Sequence, residues 1–187
     1  MRLLLVHPSS LMYSEIFLRL EPLGLERVAG AAREAGHEVR VVDLQVFSPA
    51  DLAAEMASFQ PGALGISLNY LANVPEAIEI SAAAKQAVPG CFVFIGGHSV
   101  SFIAEDVLNQ AGGSVDAIVR GEGETAIGPL LGAIRDGGLD TVPGLVSPAG
   151  RGPAPRALDG IDAPRPARDL MRRRLPQDSL HKPITRQ

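Results

Sequence analysis

The sequence predicts an open, doubly wound α/β sheet of five parallel strands flanked by helices. Two observations carry this. Five short apolar runs, at residues 3–6, 38–42, 63–68, 91–95 and 117–119, are mostly continuous rather than alternating, as in strands buried on both faces. Helical patterns separate and follow them, so strand and helix alternate five times. The length of 187 residues and a hydrophobic fraction of 46% suit one globular domain with a tail and exclude wholesale disorder.

Each element has its own signal. Leu3-Leu4-Leu5-Val6 is the first strand and meets His7-Pro8. Residues 24–35 place Leu25, Val28, Ala29 and Ala32 on one helical face, and Gly36 follows where a left-handed cap is needed. The second run ends at Asp43. Ser48-Pro49 then reads as an N-cap with proline at the first helical position. After the third run, Asn73-x-x-Glu76 can form a capping box, with Pro75 in the first turn of a helix to about residue 87. After the fourth, Ser99 is a candidate cap for a helix to about residue 110. After the fifth, residues 125–136 close on Gly137-Gly138. The architecture is Rossmann-like.

Charge and proline divide the chain. Residues 1–150 hold 8 Lys and Arg against 17 Asp and Glu, a net −9; residues 151–187 hold 9 against 4, a net +5. An acidic body argues against nucleic acid as its ligand. From Pro143 onward lie 8 of the 15 prolines, which excludes long helices and central strands there. The expected organisation is a domain over 1–140, a short hairpin or extension over 141–158, and a Pro/Arg-rich extended linker over 159–187, including Arg172-Arg173-Arg174. No apolar run reaches the roughly 18–20 residues of a membrane span, and the N-terminal run is too short for a signal-peptide core, so a cytoplasmic location is expected. The single cysteine, Cys91, excludes intrachain disulfides and cysteine-rich metal sites. It begins an apolar run and reads as a small buried hydrophobe.

Ligands of open α/β sheets sit beyond the carboxyl ends of the strands. Those ends carry Pro8-Ser9-Ser10, Asp43, Ser67-Leu68-Asn69-Tyr70, Gly96-Gly97-His98-Ser99 and Gly121-Glu122-Gly123-Glu124. The first turn lacks the G-x-G-x-x-G of a dinucleotide site and the glycines of a P-loop. His98, Ser99 and Glu122 or Glu124 are a candidate set for a small hydrolase or transferase, but no G-x-S-x-G elbow accompanies them. No catalytic residue and no metal ligand is assigned. Gly96-Gly97 and Gly121-x-Gly123 suggest something approaching the backbone closely, and Ser67 points a polar group into the crevice. The expected site is a wide, shallow slot for a large flat or extended ligand.

Ala63-Leu64-Gly65-Ile66-Ser67-Leu68, followed by Phe92-Val93-Phe94-Ile95-Gly96-Gly97-His98-Ser99, resembles the cobalamin (B12)-binding domain. The resemblance implies that Ser67 and Leu68 line the pocket of the cofactor's nucleotide tail, that Gly96-Gly97 let the tail pass, and that Asn69 and Tyr70 lie near the lower cobalt face. Pro8, Ser9, Ser10, His98, Ser99, Gly121, Glu122 and Gly123 complete the expected cofactor-binding set. Many members carry D-x-H-x-x-G after the first strand, whose histidine ligates cobalt. Here that loop reads His7-Pro8-Ser9-Ser10, so the resemblance implies binding without that ligand, as in the N-terminal domains of B12-dependent radical S-adenosylmethionine enzymes. Gly121-Glu122-Gly123-Glu124 and Pro166-Ala167-Arg168-Asp169-Leu170 look like segments of that group, and the pattern is most similar to hopanoid C-3 methylases. The implied role is the cobalamin-binding module of a radical methyltransferase. S-adenosylmethionine and a 4Fe-4S cluster would belong to a catalytic domain outside this chain, because one cysteine cannot supply a C-x-x-x-C-x-x-C motif. A scaffold that has lost its ligand is the remaining alternative.

Overall fold

The computed structural model describes residues 1–9, 21–158 and 164–172. Within them the elements run β1 (Arg2–His7), α1 (Leu23–Glu34), β2 (Glu38–Asp43), α2 (Pro49–Phe59), β3 (Ala63–Ser67), α3 (Val74–Ala87), β4 (Phe92–Gly96), α4 (Ala104–Ala111), β5 (Ala117–Val119), α5 (Gly123–Asp136), β6 (Leu145–Ser147), β7 (Gly150–Arg151) and α6 (Arg168–Arg172). The sheet order is β2-β1-β3-β4-β5-β6-β7. The first five strands are parallel; β6 and β7 add antiparallel to β5. The sheet therefore has seven strands rather than five, because residues 145–151 join it at the β5 edge.

The two faces of the sheet differ in kind. Leu4, Val6, Leu64, Ile66, Leu68, Val93, Ile95 and Ile118 form one core with α2, α3 and α4. Leu3, Leu5, Ala63, Phe94, Ala117 and Val119 form the other with α1 and α5. Strand side chains alternate between faces, so register decides which residues meet. On the α1/α5 face, Leu5 pairs with Gly65, Gly65 with Phe94, and Phe94 with Ala117. One step toward the carboxyl edge, Ser67 pairs with Gly96 and Gly96 with Val119. The first face is filled with branched side chains, whereas the second is thinned by Ser67 and Gly96 at the carboxyl edge.

Local signals mostly act as expected. Ser48 forms a capping box with Asp51, and Pro49 opens α2. Gly36 takes φ +82° just past α1. Two caps differ. Asn73 makes no side-chain cap; its amide donates instead to the Ser9 carbonyl and to Glu76, because the chain enters α3 through a 3-10 turn, Leu71–Asn73. Ser99 opens a second 3-10 turn, Ser99–Phe102, so α4 starts later, at Ala104. At the opposite end of the sheet Asp116 accepts from Val93 N–H at 2.6 Å and from Lys85 at 2.5 Å, tying β5's approach to β4 and α3. Cys91 is buried here, and burial pushes its thiol up to about 11.

The described part of the expected linker is not simply extended. Residues 164–172 lie along α1 and end in α6, with Ala167 and Met171 buried in the α1/α5 core. Residues 159–163 and 173–187, including Arg173 and Arg174, lie outside the described residues.

Candidate functional site

The small residues on the α1/α5 face leave a cleft of about 320 Å³ at the carboxyl edge of the parallel strands. Its sheet wall is Leu5, Gly65, Ser67, Phe94, Gly96 and Val119; its helix walls are Gly24, Leu25 and Val28 of α1 and Ile127 and Leu130 of α5. The mouth is formed by Asn69, Gly97, His98, Ser101 and the run from Gly121 to Glu124. The cleft lies between sheet and helices over an apolar floor: Gly96 puts no side chain there, and the room left by Gly65 is taken by the Phe94 ring and Leu5.

The mouth is cross-tied. Leu68 N–H donates to the Gly96 carbonyl at 2.7 Å, joining the ends of β3 and β4. The Ser99 hydroxyl donates to the Asn69 carbonyl at 2.6 Å. Ser101 donates to the Gly97 carbonyl at 3.1 Å and accepts from Gly121 N–H at 3.4 Å, and Arg120 donates to the Ser101 carbonyl at 3.2 Å. Three strand ends therefore hold one another, which preorganises the opening.

The glycines have different partners. Gly97 has φ +115°, and a Cβ there would lie 2.6–2.9 Å from the Leu68 backbone. What approaches Gly97 closely is the chain itself. A Cβ on Gly121 would lie 2.7 Å from Pro155, and one on Gly123 2.9 Å from Val28. Only ordinary contacts of 3.7–3.8 Å, to Val119, would meet a Cβ on Gly96. Of that glycine pair, Gly96 is the one that leaves open space.

Of the expected site residues, the structure brings Ser67, Asn69, Gly96, Gly97, His98, Gly121, Glu122 and Gly123 to the cleft. Leu68 is not there: it is fully buried in the core on the other face, as the alternation from Ser67 requires. Tyr70 is exposed and Ser99 turns to Asn69, so neither lines the cleft. Pro8 is buried and Ser9 N–H donates to the Glu76 carboxylate, away from it; Ser10 lies outside the described residues. His7 sits beside Asp43 and Glu76, and burial lowers its pKa despite those carboxylates. The hydrolase set is not assembled, since Ser99 Oγ donates to a carbonyl and the His98 ring packs edge-on against Phe102 at 5.5 Å. A serine nucleophile needs a base in hydrogen-bond reach.

Sequence reasoning missed the deep residues Leu5, Leu25, Val28, Gly65, Phe94, Ile127 and Leu130. The available signal was Gly65, a glycine inside a strand, which marks close approach or missing packing.

The chain matches the B12 binding domain family over residues 10–131. It is 51% identical over 175 residues to the hopanoid C-3 methylase of Methylococcus capsulatus, covering 93% of this chain and 34% of that protein. It is 32% identical over 118 residues to an uncharacterized methyltransferase of Pyrococcus horikoshii, covering 62% of this chain and 25% of that one. The chain thus spans about a third or less of the length of these relatives. Among solved structures, the cobalamin-dependent S-adenosylmethionine radical enzyme OxsB, with aqua-cobalamin and S-adenosylmethionine bound, shares the fold with a TM-score of 0.75 at 21% identity, over 91% of this chain and 24% of that one. A parallel sheet with a deep cleft at its carboxyl edge and a family match across both cleft helices lead to one conclusion: the chain belongs to the B12-binding domain family.

Proposed function

We propose that this domain holds a cobalamin over the carboxyl edge of its sheet, with the nucleotide tail in the cleft between the sheet and α1/α5. The carrying observation is the cleft, whose apolar floor of Leu5, Phe94 and Leu130 and missing side chain at Gly96 fit an extended, largely apolar group. Ser67, Asn69 and the backbone around Gly96-Gly97 line its sheet side, and Gly121 to Glu124 line the opposite lip. Leu25, Val28 and Ile127 exclude water from the buried end. When bound, a corrinoid supplies methyl-transfer chemistry at cobalt; the domain supplies position and environment.

The same reading places no histidine of the β1 loop below cobalt. The run from Pro8 to Pro22 contains none, and His7 ends β1 itself and does not line the cleft. The likeness to the Methylococcus methylase supports a role as the cobalamin module of a radical S-adenosylmethionine methyltransferase acting in the cytoplasm. S-adenosylmethionine and the 4Fe-4S cluster would then be held by a catalytic partner domain, since this chain has one cysteine.

The test is direct. Purified chain mixed with hydroxocobalamin and desalted is expected to keep the corrinoid absorption at close to one equivalent. A colourless protein overturns the reading.

A further inference from the structure

Helix α1 is a wall of the cleft on one side and a docking surface on another. Gly24, Leu25 and Val28 face the cleft. Glu26, Gly30 and Arg33, at spacings of four and three, form a separate stripe. Along that stripe lies the chain's own segment 164–172. Ala167 N–H donates to the Glu26 carbonyl at 3.0 Å. The Arg165 carbonyl occupies the space of the absent Gly30 side chain, so that a Cβ there would overlap it. Arg33 donates to both oxygens of Asp169, at 2.8 and 3.0 Å. Arg168 lies 3.8 Å from the fully buried Glu26 carboxylate.

A helix that faces a cavity lacks packing on that side. The first turns of α1 are in this position, so their placement depends on what grips them from outside. We propose that segment 164–172 is a brace that holds α1 at the cleft, making Gly30, Arg33 and Asp169 positioning residues for corrinoid retention although none of them lines the site. This rests on the corrinoid reading above. It also gives the segment a function beyond connection: release of the brace loosens the cofactor wall, and a filled cleft in turn favours the docked brace, since such coupling is reciprocal.

Gly30→Ala tests it with opposed expectations. Alanine is the better helix former, so α1 gains intrinsic helicity while the seat for Arg165 is blocked. Asp169→Arg breaks the ion pair independently, and Arg33→Asp with Asp169→Arg restores it with reversed sign. Hydrogen exchange on the 187-residue chain without corrinoid, and equilibrium titration with hydroxocobalamin, are the two readouts. Each single variant is expected to raise exchange at residues 167–171 and in the first turns of α1, and to weaken hydroxocobalamin by about three- to tenfold; the double swap is expected to recover both. Raised exchange at 167–171 with wild-type α1 exchange and wild-type affinity overturns the proposal, as does unchanged exchange at 167–171 in both single variants. If wild-type chain retains no corrinoid, the functional reading fails, and the brace is then judged on α1 exchange alone.

Discussion

Replacing each glycine of the Gly96-Gly97 pair separates cleft from backbone. Gly96 ends β4 on the α1/α5 face, and a Cβ there meets Val119 at no less than 3.7 Å. Valine suits a strand and fits the backbone, so Gly96→Val is expected to leave stability within about 0.5 kcal/mol. That is about 1–2 °C in Tm for a chain of this size. Its γ carbons extend into the cleft beside Ser67 and Val119. Overfilling a packed site costs about 1–3 kcal/mol, which corresponds to roughly a 5- to 150-fold rise in Kd. Gly97→Ala does the reverse. A non-glycine residue at φ +115° costs about 1–3 kcal/mol from the backbone alone, and the new Cβ crowds the Leu68 backbone. Tm is expected to fall by about 2–12 °C. Thermal unfolding by circular dichroism and spectrophotometric titration with hydroxocobalamin measure the two effects. Wild-type affinity in Gly96→Val would refute the placement of the tail, and wild-type Tm in Gly97→Ala would refute the strained-turn account.

Two further outcomes follow from buried titratable groups. Burial, with Glu21 beside it, raises the Glu26 carboxyl to about 7, against 4.5 for the free group, and Arg168 offsets this only in part. The folded state therefore holds this proton more tightly than the unfolded chain, so stability falls as pH rises from about 4.5 to about 7 and levels off above. Glu26→Gln is expected to raise Tm at pH 8 and to change it little at pH 4.5; equal gains at both would contradict the assignment. Cys91, with its thiol pushed up to about 11, is expected to resist iodoacetamide at pH 8 in the native protein and to react once denaturant exposes it. Rapid native labelling followed by mass spectrometry would disprove this.

The sequence made the parallel strands legible because a strand buried on both faces must be apolar throughout, and each observed strand of the parallel set lies within a residue or two of its run. Ser48-Pro49 was equally legible, since its capping box closes within four residues. What failed was non-local. Asn73 and Ser99 carry the side chains of helix caps, but Asn73 bonds the Ser9 carbonyl beside its local partner Glu76, and Ser99 bonds Asn69; Ser9 and Asn69 are brought near only by the fold. The cleft needed register: pairing of β3 with β4 sets Gly96 beside Ser67, and one step back it lays the Phe94 ring over Gly65 as floor. The same alternation turns the Leu68 side chain into the opposite core, away from the cleft. The docking of residues 164–172 onto α1 joins positions more than 130 residues apart, as in the Arg33–Asp169 pair, and an Arg-rich, Pro-rich stretch gives no local sign of it.

The unequal faces of the sheet also bear on how such a domain tolerates change. Leu4, Val6, Leu64, Ile66, Val93, Ile95 and Ile118 lie on the face that the cleft does not use, apart from the edge contact of Ile66. Truncating one of these leucines or isoleucines to alanine costs about 2–5 kcal/mol, so this face anchors the fold. The cleft side already forgoes part of its packing, and a cavity-lining position has less to lose. Ligand preference can therefore drift by substitution around the cleft without exhausting the stability margin, because the two properties are carried by opposite sides of the same strands.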